Sequence, residues 1–98
     1  MTLNDILHDI HALEDELRIY ERKYNVLSEI FYKAYTDGEE PPDDTWVRDW
    51  TAWASAYQLW LRRREQYKSA IVQLRVEMDS ISNVIVRTAR HEPIFVPA

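Results

Sequence analysis

Apolar residues recur every three or four positions along two long stretches of this 98-residue chain. Such spacing averages 3.5 residues, the period of the apolar seam by which helices pack in a coiled coil. The sequence therefore predicts an all-α fold, a long antiparallel two-helix hairpin that is coiled-coil-like. The first stretch contains Leu3, Ile6, Ile10, Leu13, Leu17, Tyr20, Tyr24, Leu27, Phe31 and Ala34; the second contains Trp46, Trp50, Trp53, Tyr57, Trp60, Arg64, Tyr67, Ile71, Leu74, Met78, Ile81 and Ile85.

Capping and helix-breaking residues give the expected boundaries within a single domain, 1–98. The first helix is predicted over 2–36, because Thr2 can cap its start together with Asp5 in a variant of the capping box. The only glycine follows that helix, where a left-handed turn is favoured. The next segment, DGEEPPDDT, is expected to be an acidic loop over 37–45, since its two prolines prevent helix continuation.

The second helix is predicted over 46–90, followed by an extended tail over 91–98 that contains two prolines. A short loop makes the helices antiparallel, so the longer second helix overhangs the start of the first. Exposed aliphatic residues on the overhang favour a homodimer in which two hairpins form a four-helix bundle. The tail could also fold back over the overhang, or dock on a partner. The expected interface residues here are Met78, Ile81, Val84, Ile85 and Phe95.

Aromatic residues concentrate near the loop end of the hairpin, and four tryptophans occupy seam positions. Four indoles are too bulky for an ordinary two-helix seam, and Trp and Tyr are enriched at protein interfaces. The pattern predicts either a wide aromatic core in a dimer or a groove for a heterologous protein partner. The candidate interface residues are Trp46, Trp50, Trp53 and Trp60.

The net charge of −5 is unevenly distributed along the chain. Residues 1–45 contain twelve acidic and four basic residues, whereas residues 46–98 contain five acidic and eight basic residues. Opposite charge on the two helices favours pairing within the chain, and the densest acidic and basic runs should lie opposite each other. An alternative is that the three consecutive arginines bind phosphate. The expected ion pairs that fix the register involve Glu14, Glu16, Arg62 and Arg64.

Motifs that would indicate catalysis or metal binding are missing from the sequence. Cysteine is absent, and neither a glycine-rich phosphate loop nor a nucleophile elbow is present. His8 and His11 have a spacing that could chelate a metal, and Asp5 and Asp15 lie on neighbouring turns, but both histidines lie off the apolar seam and the pattern compels no third ligand. We therefore expect no enzyme activity, no catalytic or metal-binding residues and no cofactor. The chain shows no signal peptide and no transmembrane stretch, so a cytoplasmic location is expected.

The stretches GEEPPDDTWVRDW and WLRRREQY, with TARHEP near the C-terminus, resemble small helical proteins found beside toxin genes in bacterial toxin–antitoxin pairs. The resemblance implies a neutralising protein that wraps a toxin with its helices, and it assigns no functional residue. The sequence thus predicts a non-enzymatic interaction protein that self-associates and binds a protein partner. A metal-dependent bundle enzyme that uses both histidines is a weaker alternative. Another is a small nucleic-acid-binding regulator, disfavoured by a pI near 5.1, that uses Arg62, Arg63, Arg75, Arg87 and Arg90.

Overall fold

The computed structural model of the chain describes residues 1–96, which form four α-helices and no β-strand. The predicted all-α class is confirmed. Each of the two predicted helices is interrupted once, however, so the boundaries 2–36 and 46–90 are wrong in that respect. The helices are α1 (Leu3–Tyr24), α2 (Ser28–Thr36), α3 (Val47–Met78) and α4 (Ile81–Ala89), and a 3-10 turn, Asp44–Trp46, precedes α3.

The first interruption separates α1 from α2 at Asn25, whose backbone is left-handed with φ of 58°. Asparagine tolerates this conformation better than most residues that carry a Cβ atom. The Glu21 carboxylate then accepts hydrogen bonds from the backbone N–H and the hydroxyl of Ser28, at 2.8 and 2.6 Å. Glu21 therefore accepts from the backbone N–H of Ser28 at the start of α2, which in a continuous helix would donate to a backbone carbonyl of the preceding turn.

The second interruption separates α3 from α4 at Asp79, which is also left-handed with φ of 65°. Ser80 caps α4 by accepting a hydrogen bond from the Asn83 backbone N–H at 3.1 Å. The Asn83 side chain donates to the Met78 carbonyl at 2.7 Å, which satisfies an acceptor at the end of α3. The predicted straight overhang is therefore replaced by a turn and a separate short helix.

Contacts divide the chain into two compact units. The aromatic unit is the continuous stretch His11–Leu61, and the terminal unit combines Met1–Ile10 with Arg62–Ala98, of which the structure describes residues up to 96. The sequence predicts one domain and gives no sign of this division. Both boundaries fall inside long helices, where the seam spacing continues unchanged.

Trp53 forms the centre of the aromatic unit, with only 1% of its surface exposed. The Phe31 ring stacks on its indole at 3.8 Å between centroids, and the rings of Tyr24 and Tyr20 stack at 5.6 and 5.9 Å. Phe31 belongs to α2, so the interruption at Asn25 brings a third helix to this core. Trp53 is therefore buried within one chain, because α2 supplies the extra width that the sequence pattern assigned to a dimer or to a partner.

The terminal unit has its own core, in which helix residues and the C-terminal tail are buried together. The four buried members come from α1, α3, α4 and the tail. The tail pairs with the start of the chain, since the backbone N–H of Leu3 donates to the Ile94 carbonyl at 2.7 Å and that of Val96 donates to the Met1 carbonyl at 3.0 Å. The tail therefore follows the predicted alternative in which it folds back. The buried residues are Leu3, Leu74, Val84 and Ile94.

Candidate interaction surfaces

In the terminal unit, α4 and the tail expose aliphatic and aromatic side chains. Val84 and Ile94 turn inward, while the side chains beside them in the sequence point outward. Phe95 is the most exposed of these, at 75%. Apolar area of this kind is unfavourable in water and is common at protein interfaces. We call this set the α4–tail surface, and it comprises Ile81, Ile85, Val86 and Phe95.

A groove of about 450 Å³ adjoins the α4–tail surface. Its walls come from α1, α3, α4 and the tail, and Ile81 and Ile85 lie on its rim while remaining exposed. Polar side chains from the ends of α1 and α4 complete the lining, including Asn4, Thr88 and His91. Apolar walls with a few polar groups are typical of sites that take an apolar side chain or a small molecule.

The candidate interface residues predicted from the sequence have different environments. Trp53 and Val84 lie in the cores of their units, so neither offers surface to a partner. Trp50, Trp60 and Met78 pack partly buried against those cores. The exposed candidates are Trp46, Ile81, Ile85 and Phe95.

The ion pairs predicted to fix the register join Glu14 and Glu16 to Arg62 and Arg64. These acids and arginines belong to different units, so the pairs stay a prediction. A neighbouring pair does form within the terminal unit, where Arg63 lies 3.3 Å from the Asp9 carboxylate. That pair and the shared core of α1 and α3 in this unit fit an antiparallel arrangement. Arg87 is likewise held by an ion pair within the unit, with its Nε 3.4 Å from a Glu92 oxygen.

Exposed aliphatic side chains at the α1–α2 interruption are a feature that the seam pattern missed. Leu27 belongs to the predicted seam, yet 65% of its surface is exposed because the interruption changes the helical phase. Ser28 and Phe31 turn inward, so the residues that precede each of them turn outward. We call these exposed residues the bend patch, and they are Val26, Leu27 and Ile30.

The charge of the chain is concentrated on the aromatic unit. Residues 11–61 contain eleven acidic and five basic side chains, a net charge of −6. The remaining residues contain six acidic and seven basic side chains, a net charge of +1. A surface on the aromatic unit therefore lies in a negative potential, which favours positively charged partners.

Asp49 accepts two side-chain hydrogen bonds in the aromatic unit. Its carboxylate accepts hydrogen bonds from Lys23 Nζ at 2.5 Å and from the Tyr24 hydroxyl at 2.6 Å. The hydrogen bond from Lys23, followed by that from Tyr24, lowers the pKa of Asp49 below its ordinary value. Burial is the main cause that raises the pKa of Tyr24. These groups stabilise the fold beside the aromatic core, since Tyr24 also stacks on Trp53.

Metal-binding geometry is not found among residues 1–96, where no three His, Asp or Glu side chains come together as potential ligands. His8 and His11 are both exposed on α1. Two further acids with lowered pKa values act as helix caps: Asp5 accepts from the backbone N–H of Thr2, and Asp43 accepts from that of Thr45. The shifts therefore have structural causes.

Comparison with known proteins adds no relative. No protein-family model, curated protein or solved structure matches this chain. The resemblance to proteins found beside toxin genes therefore stays a prediction. None of the helices in the described part of the chain is long and apolar enough to cross a membrane.

Proposed function

We propose that this chain is a non-enzymatic helical interaction protein that self-associates through the α4–tail surface and binds a protein partner. The observation that carries the proposal is the exposure of Ile81, Ile85, Val86 and Phe95 on one short helix and the adjoining tail. Burial of a fully exposed aliphatic side chain stabilises by about 1.5–3 kcal/mol, so covering these residues offers several kcal/mol. A second copy is the simplest cover, because one patch then completes itself about a two-fold axis.

The roles of the polar groups support a binding function rather than catalysis. Asp5 and Asp43 are engaged as helix caps, and Asp49 is engaged with Lys23 and Tyr24. In the groove beside the α4–tail surface, half of the lining residues are aliphatic. Such walls suit an apolar side chain of a partner.

The partner is proposed to be a protein toxin, and the resemblance of three short stretches to proteins encoded beside toxin genes supports this. The same proposal keeps the dimer of two hairpins predicted from the sequence, a four-helix bundle, with α4 and the tail of each copy at the contact between the copies. Neutralisation by coating a toxin with helices requires extended helical surfaces, and α3 alone has 32 residues.

Light scattering after gel filtration tests the self-association. At micromolar concentration we expect twice the 11.8 kDa mass of one chain. The double substitution Ile81→Asp and Ile85→Asp should give a monomer, because it places charges on the α4–tail surface. A matched control is Val72→Asp and Val76→Asp, which changes two aliphatic residues of α3 that are 63% and 71% exposed. The control should remain a dimer.

Two results would contradict the proposal. One is a monomeric wild-type protein at micromolar concentration. The other is a dimer that survives the α4 substitutions while the α3 control dissociates, which would move the interface to α3. Circular dichroism on each variant checks that the helices are retained, so that loss of the dimer is not mistaken for unfolding.

A further inference from the structure

The bend patch lies on the aromatic unit and has no role in the α4–tail surface. Leu27 and Ile30 are exposed by 65% and 61%, and the backbone N–H of Ile30 donates to the Leu27 carbonyl at 3.1 Å. That hydrogen bond fixes the two residues on one short turn. The interruption at Asn25 therefore presents a pair of aliphatic side chains on a hydrogen-bonded turn.

An open groove of about 570 Å³ begins at Ile30. It continues along α2 to the loop, and its lining includes Ala34, Asp37 and Glu39. Gly38 lies in the same groove with open space where a side chain would stand, so the groove is not obstructed there. A helical or extended segment of another protein could lay an apolar side chain against Ile30 and continue along α2.

Charge indicates what kind of segment would bind. The aromatic unit carries a net charge of −6, and the exposed acids Glu29, Asp37, Glu39 and Glu40 surround the bend patch and the groove in sequence. Among residues 1–96, Lys33 is the basic side chain in the lining of this groove. An acidic or neutral apolar segment would meet repulsion or no attraction here, whereas lysine and arginine side chains would be attracted.

We propose that the bend patch and the adjoining groove on α2 bind a basic amphipathic segment of a partner protein. Its apolar side chains would contact Leu27 and Ile30, and its lysine or arginine side chains would pair with the surrounding carboxylates. The inference rests on the proposed function as an interaction protein, and it names the chemistry of the partner. The proposed partner binds the bend patch, whereas self-association uses the α4–tail surface, so partner binding and self-association can be tested separately.

The test uses the full-length protein and a synthetic helical peptide of about twenty residues with leucine on one face and lysine on the other. We expect micromolar binding by isothermal titration calorimetry at low salt, weakened at least tenfold at high salt. Two control peptides separate the contributions. Glutamate in place of lysine should abolish binding, and serine in place of leucine should weaken it at least tenfold.

Protein variants assign the binding to the bend patch. Leu27→Ser with Ile30→Ser should weaken binding of the leucine–lysine peptide at least tenfold, whereas Val72→Ser with Val76→Ser should leave it unchanged. A second variant, Glu39→Lys with Glu40→Lys, changes only the loop. It tests the same site if the Leu27/Ile30 variant folds poorly. This loop variant should weaken binding and reduce its dependence on salt.

The inference is overturned if wild type and the Leu27/Ile30 and Glu39/Glu40 variants bind the peptide equally. Absence of binding at 100 μM peptide, which corresponds to a binding free energy of roughly 5.5 kcal/mol, would overturn it as well. If self-association of the chain competes with peptide binding, the bend patch is an interface between copies and not a site for a partner protein, and the inference is overturned. The variant Ile81→Asp/Ile85→Asp should bind the peptide normally. Retained peptide binding with a monomeric mass in wild type would overturn self-association alone.

Discussion

At the scale of single residues, Ser28 connects three helices through one buried hydroxyl. The hydroxyl donates to the Glu21 carboxylate of α1, accepts from the Trp53 indole N–H of α3 at 2.9 Å and belongs to the first turn of α2. Only 3% of the Ser28 surface is exposed. Each of these polar groups would be costly to bury without its partner, so the serine is a structural requirement of the aromatic core.

Ser28→Ala should therefore lower the free energy of unfolding by about 1–3 kcal/mol, since it leaves the indole N–H of Trp53 without its partner and removes one of the two hydrogen bonds that the Glu21 carboxylate oxygen accepts. Urea unfolding followed by tryptophan fluorescence measures the loss. Ser69→Ala, an exposed position inside α3, is the matched control and should change stability by less than about 0.5 kcal/mol. Equal effects of the two substitutions would contradict the role assigned to Ser28.

Asp49 gives a prediction for pH. Its pKa is lowered in the folded state, so its contribution to stability is fully present above the ordinary value of 3.8 and is lost as pH falls through the lowered value. The difference in unfolding free energy between wild type and Asp49→Asn should be constant from pH 5 to 7. It should shrink as the pH falls below the ordinary pKa of 3.8. A difference that does not change with pH would show that the carboxylate charge does not stabilise the unit.

Residue-scale predictions from the sequence succeed where the partners are close along the chain. Thr2 and Asp5 form the predicted reciprocal cap, with hydrogen bonds of 2.9 and 3.2 Å. The Glu21–Ser28 cap spans seven residues, and Ser28–Trp53 spans twenty-five. Neither distance is fixed by local spacing, so the network that organises the aromatic core could not be read from the sequence.

At the scale of elements, the two interruptions decide which side chains are buried. The seam spacing of three and four residues runs unchanged through Tyr24, Leu27 and Phe31, so the apolar pattern gives no sign of the first interruption. Asparagine and serine are only mildly unfavourable inside a helix and do not enforce an end. The interruption therefore depends on Glu21, Ser28 and Trp53 acting together.

Asn25→Ala should destabilise the protein by about 1 kcal/mol, because a Cβ atom without a polar side chain is disfavoured at a φ of 58°. Asn25→Gly should be nearly neutral, since glycine adopts this conformation freely. Denaturant midpoints of the two variants measure the effect. Greater stability of the alanine variant would mean that α1 and α2 prefer to join as one helix.

At the scale of the whole molecule, the sequence predicted the helical class and most of the seam in α1. Leu3, Ile6, Ile10, Leu13 and Leu17 are all buried, as the spacing predicts. The exposed surfaces were harder to predict. The bend patch arises from the first interruption, and the covering of Val84 arises from the second interruption together with the tail. Both depend on left-handed residues that a helical period does not reveal.

The two units also differ in how far apart their residues lie along the chain. The aromatic unit is one continuous stretch, whereas the terminal unit joins the two ends of the described chain through Leu3 and Ile94. Contacts between positions that are distant along the chain form slowly, because the entropy cost of closing a long loop precedes the stabilising interactions. Refolding should therefore begin with the contacts around Trp53, whose partners are closer along the chain than Leu3 is to Ile94.

In a stopped-flow refolding experiment, tryptophan fluorescence should change before the amides of Leu3 and Val96 become protected in pulsed hydrogen exchange. A shared single rate for both probes would instead mean that the chain folds in one step. This order of folding has a further consequence for a chain that emerges from the ribosome. Residues 11–61 can fold during synthesis, whereas α4 and the first turn of α1 must wait for the tail, so the aliphatic side chains of the terminal unit stay uncovered longest.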